Sequence, residues 1–178
     1  MIVEQTKVWI KNYVVKNNFC PFAAKVYLED RIYYRVVETE NLEECLEAVN
    51  EEFLRLDRVD ASEIDTTLII FKNAFQDFRD YLDGLNIAEE LLTNLEYGSV
   101  YQLASFHPNY QFAGEEKDDP ANFTNRSPYP MIHILREDSV SQVLESFDDP
   151  ISIPKRNIKF TREKGLDYFV EALKGIGQ

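Results

Sequence analysis

The residues best suited to catalysis lie in one stretch of the chain, from Ser105 to Arg136. It reads SFHPNYQFAGEEKDDPANFTNRSPYPMIHILR and contains both histidines of the protein, His107 and His133. Histidine exchanges protons near neutral pH, and the carboxylate of Asp119 could orient a histidine or itself take part in acid-base catalysis. We therefore predict catalytic roles for His107, His133 and Asp119.

The same stretch contains groups that could hold an anion. Arg126 offers a planar set of hydrogen-bond donors that suits a carboxylate or a phosphate, and Asn125 and Ser127 can add donors beside it. Asn122 and Arg136 complete the predicted ligand-binding set, for which we expect a small anionic ligand. The alternative is that Arg126 pairs with one of the aspartates of the loop and only fastens it.

Two further chemistries stay open. If the ends of the loop meet, His107 and His133 with a loop aspartate would form a facial metal site with open positions, although their spacing matches no compact metal motif. Cys20 could act as a nucleophile with His107 as its base. A cysteine between Phe19 and Pro21 is, however, more often a small buried hydrophobic residue. We assign no residue to a metal and no cofactor.

Structural roles compete with all of these interpretations. His133 alternates with Met131 and Leu135 on one face of a predicted strand, where a histidine is usually part of the core. The aromatic side chains of the loop would pin it to the core or, in a non-catalytic module, recognise a partner.

The composition limits the classes of protein and partner. With 178 residues, 44% of them hydrophobic, the chain suits one domain with a sizeable core, and we predict a single domain over residues 1–178. The net charge of -13 weighs against nucleic acid, because its phosphates would be repelled at long range. No signal peptide and no membrane-spanning run is evident, so we expect no membrane partner. Two cysteines suit a reduced compartment, and we expect the cytoplasm.

Apolar periodicity predicts helices that alternate with strands. The predicted helices cover Val3 to Lys16 and Gln76 to Leu95, and three more start at Asn41, Ser139 and Pro154. The predicted strands are Tyr27 to Glu38, Thr66 to Phe71, Ser99 to Phe106 and Met131 to Arg136. Asn41 and Ser139 suit N-caps, and Gly165 is expected to interrupt the last helical region. This order favours an α+β fold, with a mixed sheet of about four strands, helices mainly on one face and one parallel crossover.

The long stretch SFHPNYQFAGEEKDDPANFTNRSPYPMIHILRE, with CPFA near the start and IPKRNI near the end, resembles an uncharacterised bacterial family, domain-of-unknown-function family 1415. The resemblance brings no established reaction or cofactor. It implies a shared site, because ten positions here match those that characterise the family. They are Cys20, His107, Asp119, Asn122, Asn125, Arg126, Ser127, His133, Arg136 and Asn157.

Three functional hypotheses follow. The leading one is a small cytosolic enzyme that acts on a molecule bearing a phosphate or a carboxylate, bound at the stretch from Ser105 to Arg136. The second is a non-catalytic binding or interaction module. The third is a metal-dependent enzyme that uses His107, His133 and an aspartate.

Overall fold

The computed structural model describes residues 1–145, 149 and 152–176. In chain order its elements are helix α1 (Ile2–Trp9), a π-helix (Ile10–Val15), α2 (Ala23–Leu28), β1 (Ile32–Val37), α3 (Leu42–Arg58), β2 (Thr66–Phe71), α4 (Phe78–Asn94), β3 (Tyr101–Phe106), a 3-10 helix (Pro120–Thr124), β4 (Met131–Arg136), α5 (Glu137–Leu144), α6 (Ser152–Lys164) and α7 (Leu166–Lys174). This arrangement confirms the predicted α+β class.

The four strands form one mixed sheet in the order β1-β2-β4-β3. β1 and β2 are parallel and are connected through α3, as the sequence predicts. β4 pairs antiparallel with β2 on one side and with β3 on the other. Every residue of β2 is buried, because it is an inner strand of a sheet with both faces covered.

Helices cover both faces of this sheet and are not packed mainly on one. Ile69 and Ile132 belong to a core cluster with residues of α3 and α4. Leu68 and Met131 point the other way and pack with residues of α1, the π-helix and α7. The sequence TTLIIF of β2 explains this, since consecutive apolar residues in a strand place apolar side chains on both faces.

The N-terminal segment is helical, as predicted, although its second half is a π-helix. Trp9 and Tyr13 are almost completely buried on its inner side. Asn18, with a φ of 52°, adopts the left-handed conformation that often ends a helix.

Two predicted helix starts have different outcomes. Asn41 caps α3, and its side chain accepts a hydrogen bond from the Glu44 backbone N–H at 3.0 Å. Ser139 is not an N-cap, because α5 begins at Glu137, directly where β4 ends. The end of the strand, rather than a local capping side chain, therefore fixes this helix start.

The remaining boundaries shift by a few residues. Tyr27 lies in α2, so the first strand begins later than predicted, at Ile32. Gly165, with a φ of 81°, separates α6 from α7 as expected, and Pro154 is the third residue of α6. The sequence also predicts that Asp148 to Pro150 ends the helix with the predicted start at Ser139, but these residues lie largely outside the described ones. Across the described ranges, no helix combines the length and apolar character needed to cross a membrane.

Candidate functional site

The segment between β3 and β4, residues 107–130, is an ordered loop held by the N-terminal helices. The indole N–H of Trp9 donates to the Arg126 carbonyl at 3.1 Å, and the Tyr13 hydroxyl donates to the Phe123 carbonyl at 2.8 Å. Phe123 is itself buried in the core. The loop is therefore fixed by long-range contacts, and the positions of its polar side chains are well defined.

His107 is fully buried at the start of this loop. Its Nδ1 accepts a hydrogen bond from the Asn109 backbone N–H at 2.9 Å, so its Nε2 carries the proton and donates to the Phe75 carbonyl at 2.9 Å. The ring packs against Phe78 and Tyr81, and burial lowers the pKa of His107. Both ring nitrogens are engaged within the fold, which gives His107 a structural role.

His133 is held from the neighbouring strand. The Thr66 hydroxyl donates to the Ile134 carbonyl at 2.5 Å, so it accepts a hydrogen bond from Nε2 of His133 at 2.6 Å. Burial lowers the pKa of His133 from 6.5 to about 4. The ring is therefore neutral and a weak base at physiological pH.

The two histidines lie on opposite sides of the sheet. His107 packs against α4, whereas His133 shares its strand face with Met131 and Leu135, which pack on the other side. The approach that the facial metal site requires therefore does not occur, and a pairing between His107 and Cys20 likewise lacks a geometric basis. Within the described part of the chain, no group of three His, Cys, Asp or Glu side chains could hold a metal ion.

Asp119 fastens the loop to α6. Its carboxylate caps the 3-10 helix by accepting from the Ala121 N–H at 2.8 Å, and it pairs with Arg162 at 2.9 Å. Arg162 also contacts Glu115 at 2.8 Å. The hydrogen bond from Arg162 is the main cause of the lowered pKa of Asp119. Asp119 is therefore ionised and paired, and none of these contacts involves a histidine.

Two asparagines brace the backbone of the loop. Oδ1 of the fully buried Asn122 accepts from the Phe112 N–H at 2.9 Å, and its Nδ2 donates to the Glu116 carbonyl at 2.8 Å. Nδ2 of Asn125 donates to the Ser105 carbonyl at 3.0 Å. Each amide thus replaces backbone partners that a loop of irregular shape cannot supply by itself.

Arg126 and Ser127 also bind within the loop. Arg126 donates to the carbonyls of Tyr110 at 3.3 Å and Lys117 at 2.8 Å, and its guanidinium lies 4.1 Å from the centre of the Phe123 ring. Burial is the main cause of the lowered pKa of Arg126. Ser127 is buried, and its hydroxyl donates to a carbonyl two residues later at 2.6 Å. Arg126 therefore fastens the loop, through carbonyls rather than through the expected aspartates.

Arg136 lies apart from these residues, at the end of β4. Its Nη2 donates to the carbonyls of Leu56 at 2.7 Å and Val59 at 2.7 Å, at the C-terminal end of α3. The eight predicted site residues therefore do not meet in one place. Seven of them support the loop and the sheet around it, and Arg136 faces a different part of the surface.

A surface recess of about 470 Å³ lies beside Arg126 and Ser127. A cavity of about 490 Å³ includes Asn125 in its wall, and we call it the apolar cavity. It is bounded by Val14 of the π-helix, by the segment from Phe19 to Phe22 that precedes α2, by residues of β3, β4, α5 and α6, and by the loop near Thr124. Most of its wall is hydrophobic. The main apolar contributors are Phe22, Phe106, Leu135, Val140, Val143 and Ile158.

A few polar groups also line the apolar cavity. The half-buried Cys20 thiol has its pKa raised, chiefly by burial, and so is a protonated thiol rather than a nucleophilic thiolate. Asn157 is tied back to the Phe19 carbonyl at 2.8 Å. The Gln102 carboxamide makes no hydrogen bond with the described residues, which makes it the polar group best placed to meet a ligand.

Residues 1–171 match the model of a protein family described as protein of unknown function, DUF1415. The chain belongs to this family. No curated protein and no solved structure shows significant similarity to it.

Three of the ten positions named for the resemblance lie in the wall of the apolar cavity although they are far apart in the chain. They are Cys20, Asn125 and Asn157. Sequence reasoning missed Gln102. Its alternation with Ala104 and Phe106 along β3 was the available signal, because it places one polar side chain in line with two apolar ones.

Proposed function

We propose that the protein binds a small, largely apolar organic molecule in the apolar cavity. The observation that carries this proposal is the shape and chemistry of the cavity: about 490 Å³ of space with a mainly hydrophobic wall. Cavities that bind small molecules usually measure about 300–1,000 Å³ and combine apolar walls with a few polar groups.

The energetics favour an apolar ligand. Each square ångström of apolar surface removed from water contributes roughly 25 cal/mol of binding free energy. A ligand that covers Phe22, Leu135 and Ile158 therefore binds more tightly when its own surface is apolar. Gln102 would select a ligand with one hydrogen-bonding group, since its carboxamide can both donate and accept. The concave form of the cavity favours a small molecule over the flat face of a protein partner.

The enzyme hypothesis stays a prediction, and the contacts of its residues argue against the predicted location. His107, His133 and Asp119 are engaged within the fold, and the anion-binding groups of the loop donate to backbone carbonyls. The raised thiol pKa of Cys20 likewise favours binding over nucleophilic catalysis. The cytoplasmic location also stays a prediction.

The dye 1-anilinonaphthalene-8-sulfonate, an apolar molecule with one polar group, tests the proposal directly. We expect saturable binding at one site. Binding is measured through the fluorescence of the dye, excited directly. Val140→Trp, on the half-buried wall of α5, would fill the cavity and weaken binding by about tenfold or more. Val8→Trp is the matched control, because Val8 is 39% exposed on α1 and does not line the cavity. Equal dye affinity in both variants would overturn the proposal.

Cys20 provides a second, independent readout. In a Cys45→Ala background, which removes the buried second cysteine, a disulfide-exchange reagent reports on Cys20 alone. We expect saturating dye to slow the modification of Cys20 several-fold, because thiol and dye would share one cavity. An unchanged rate at saturation would place the dye elsewhere.

A further inference from the structure

A second cavity opens at the end of the sheet where β4 stops, and we call it the polar cavity. It measures about 950 Å³, and its wall includes the end of α3, the loop after α3 and the first part of α5. Four basic and four acidic side chains line it. It adjoins the apolar cavity, with Phe22 and Val143 in the walls of both, but its chemistry is entirely different.

Arg136 contributes an unpaired cation to this wall. Its Nη2 binds three backbone carbonyls, including that of Ile64 at 3.2 Å, but it forms no ion pair with a carboxylate of the described residues. Its Nε is buried without a hydrogen-bond partner. The hydrogen bonds that its guanidinium makes with the described residues all come from Nη2. A half-buried guanidinium in this state favours an anionic group beside it, because a desolvated charge is costly unless it is paired.

Asp65 contributes the complementary group. It is only 3% exposed, and its Oδ2 accepts from Nη1 of Arg31 at 2.8 Å, while its Oδ1 has no partner. Five buried side-chain atoms lack a hydrogen-bond partner in the described residues, and three of them belong to residues of this wall: Arg31 Nε, Asp65 Oδ1 and Arg136 Nε. Such atoms are rare in native proteins, and although each is itself shielded from the open space, their concentration behind one wall favours a polar occupant.

We propose that the polar cavity binds a small zwitterion that carries both a carboxylate and an ammonium group, as an amino acid does. The carboxylate of the ligand binds Nη1 of Arg136, and its ammonium group binds Asp65, whose Oδ1 must rotate out of its shielded position to face the cavity. Equal numbers of acidic and basic groups favour a ligand without net charge. A protein with a net charge of -13 would repel a simple anion at long range but not a zwitterion.

The test uses the full chain and the standard amino acids, each titrated singly and followed by calorimetry and by the side-chain N–H resonances of the arginines. We expect at least one amino acid to bind and to shift the Nε–H resonance of Arg136. Acetate, methylammonium and inorganic phosphate, each with a single kind of charge, should bind at least about tenfold more weakly, because each lacks one charge-assisted contact. Failure of every amino acid to bind, or equal binding of acetate or phosphate, overturns the proposal.

Two variants then locate the ligand. Ser139→Trp fills the polar cavity from α5 and should abolish binding, whereas Ser141→Trp, exposed on the same helix and outside the cavity wall, should leave it unchanged. Asp65→Asn should weaken amino acid binding by about tenfold or more and leave the weak binding of acetate unaffected. Urea unfolding of each variant verifies that it is folded. Binding that survives Ser139→Trp in the folded protein places the ligand elsewhere and also overturns the proposal.

Discussion

Replacement of the loop amide Asn122 by alanine separates a structural role from a ligand-binding role. Asn122 is fully buried and makes three hydrogen bonds: one from the Phe112 N–H at 2.9 Å and two to the carbonyls of Glu116 at 2.8 Å and Lys117 at 3.2 Å. At about 1 kcal/mol for each bond, Asn122→Ala should lower the free energy of unfolding by about 3 kcal/mol. Because Glu116 and Lys117 are exposed, water can hydrogen-bond their freed carbonyls in the variant, so we expect the loss of stability to be at least about 2 kcal/mol.

The measurement is urea unfolding at neutral pH, with the slope of free energy against urea concentration compared between proteins. Asn109→Ala is the matched control, because Asn109 is exposed in the same loop. It should change the free energy of unfolding by no more than about 0.5 kcal/mol. A cost below about 1 kcal/mol for Asn122→Ala, or one equal to that of the control, would refute the structural role. Unchanged stability with lost affinity for an anion would instead restore the ligand-binding role predicted from the sequence.

Three further predictions concern stability, each measured by urea unfolding. The pKa of His133 is about 4 in the fold against 6.5 in the unfolded chain, so this histidine takes up a proton mainly on unfolding. Lowering the pH from about 7.5 to about 5 should therefore reduce the free energy of unfolding of the native protein by about 2 kcal/mol more than that of His133→Gln. Parallel pH profiles of the two proteins would contradict this. Gly84→Ala should destabilise by about 1–3 kcal/mol instead of improving the helix, because a Cβ would lie 2.5 Å from the Phe75 ring. Gly98→Ala is its control and should leave stability almost unchanged, because the nearest atom to the added Cβ would be 3.9 Å away. A stabilising effect of Gly84→Ala would show that the Phe75 ring moves aside. Arg162→Ala should lower the free energy of unfolding by less than about 1 kcal/mol, and by less still in high salt, because the Arg162 side chain is 47% exposed. A larger loss that does not depend on salt would argue against a simple surface ion pair.

The loop between β3 and β4 shows why a polar motif is ambiguous in sequence. Asn122, Arg126 and Ser127 have the donors that a carboxylate or phosphate needs, and the same donors satisfy backbone carbonyls in an irregular loop. The choice between these roles depends on where the loop backbone lies. That position is fixed by contacts such as the hydrogen bond from Trp9 to Arg126, which joins residues 117 positions apart.

The histidines illustrate the same limit at the level of the sheet. The alternation of Met131, His133 and Leu135 correctly indicated a shared strand face for these residues. It could not place His107, which follows β3 and turns toward α4, on the opposite side. Proximity in sequence to one loop was therefore a poor guide to proximity in space.

The sequence by itself determined the α+β class, the buried strand β2, the capped start of α3 at Asn41 and the membership of the family. These features depend on side-chain periodicity and on capping interactions over a few neighbouring residues, which are readable along the chain. Only the tertiary structure decided which polar groups are consumed in the fold and where open space remains. The two cavities are formed by side chains from segments as distant as Cys20 and Ile158, or Arg31 and Arg136, and their shape results from collective packing that no single segment encodes.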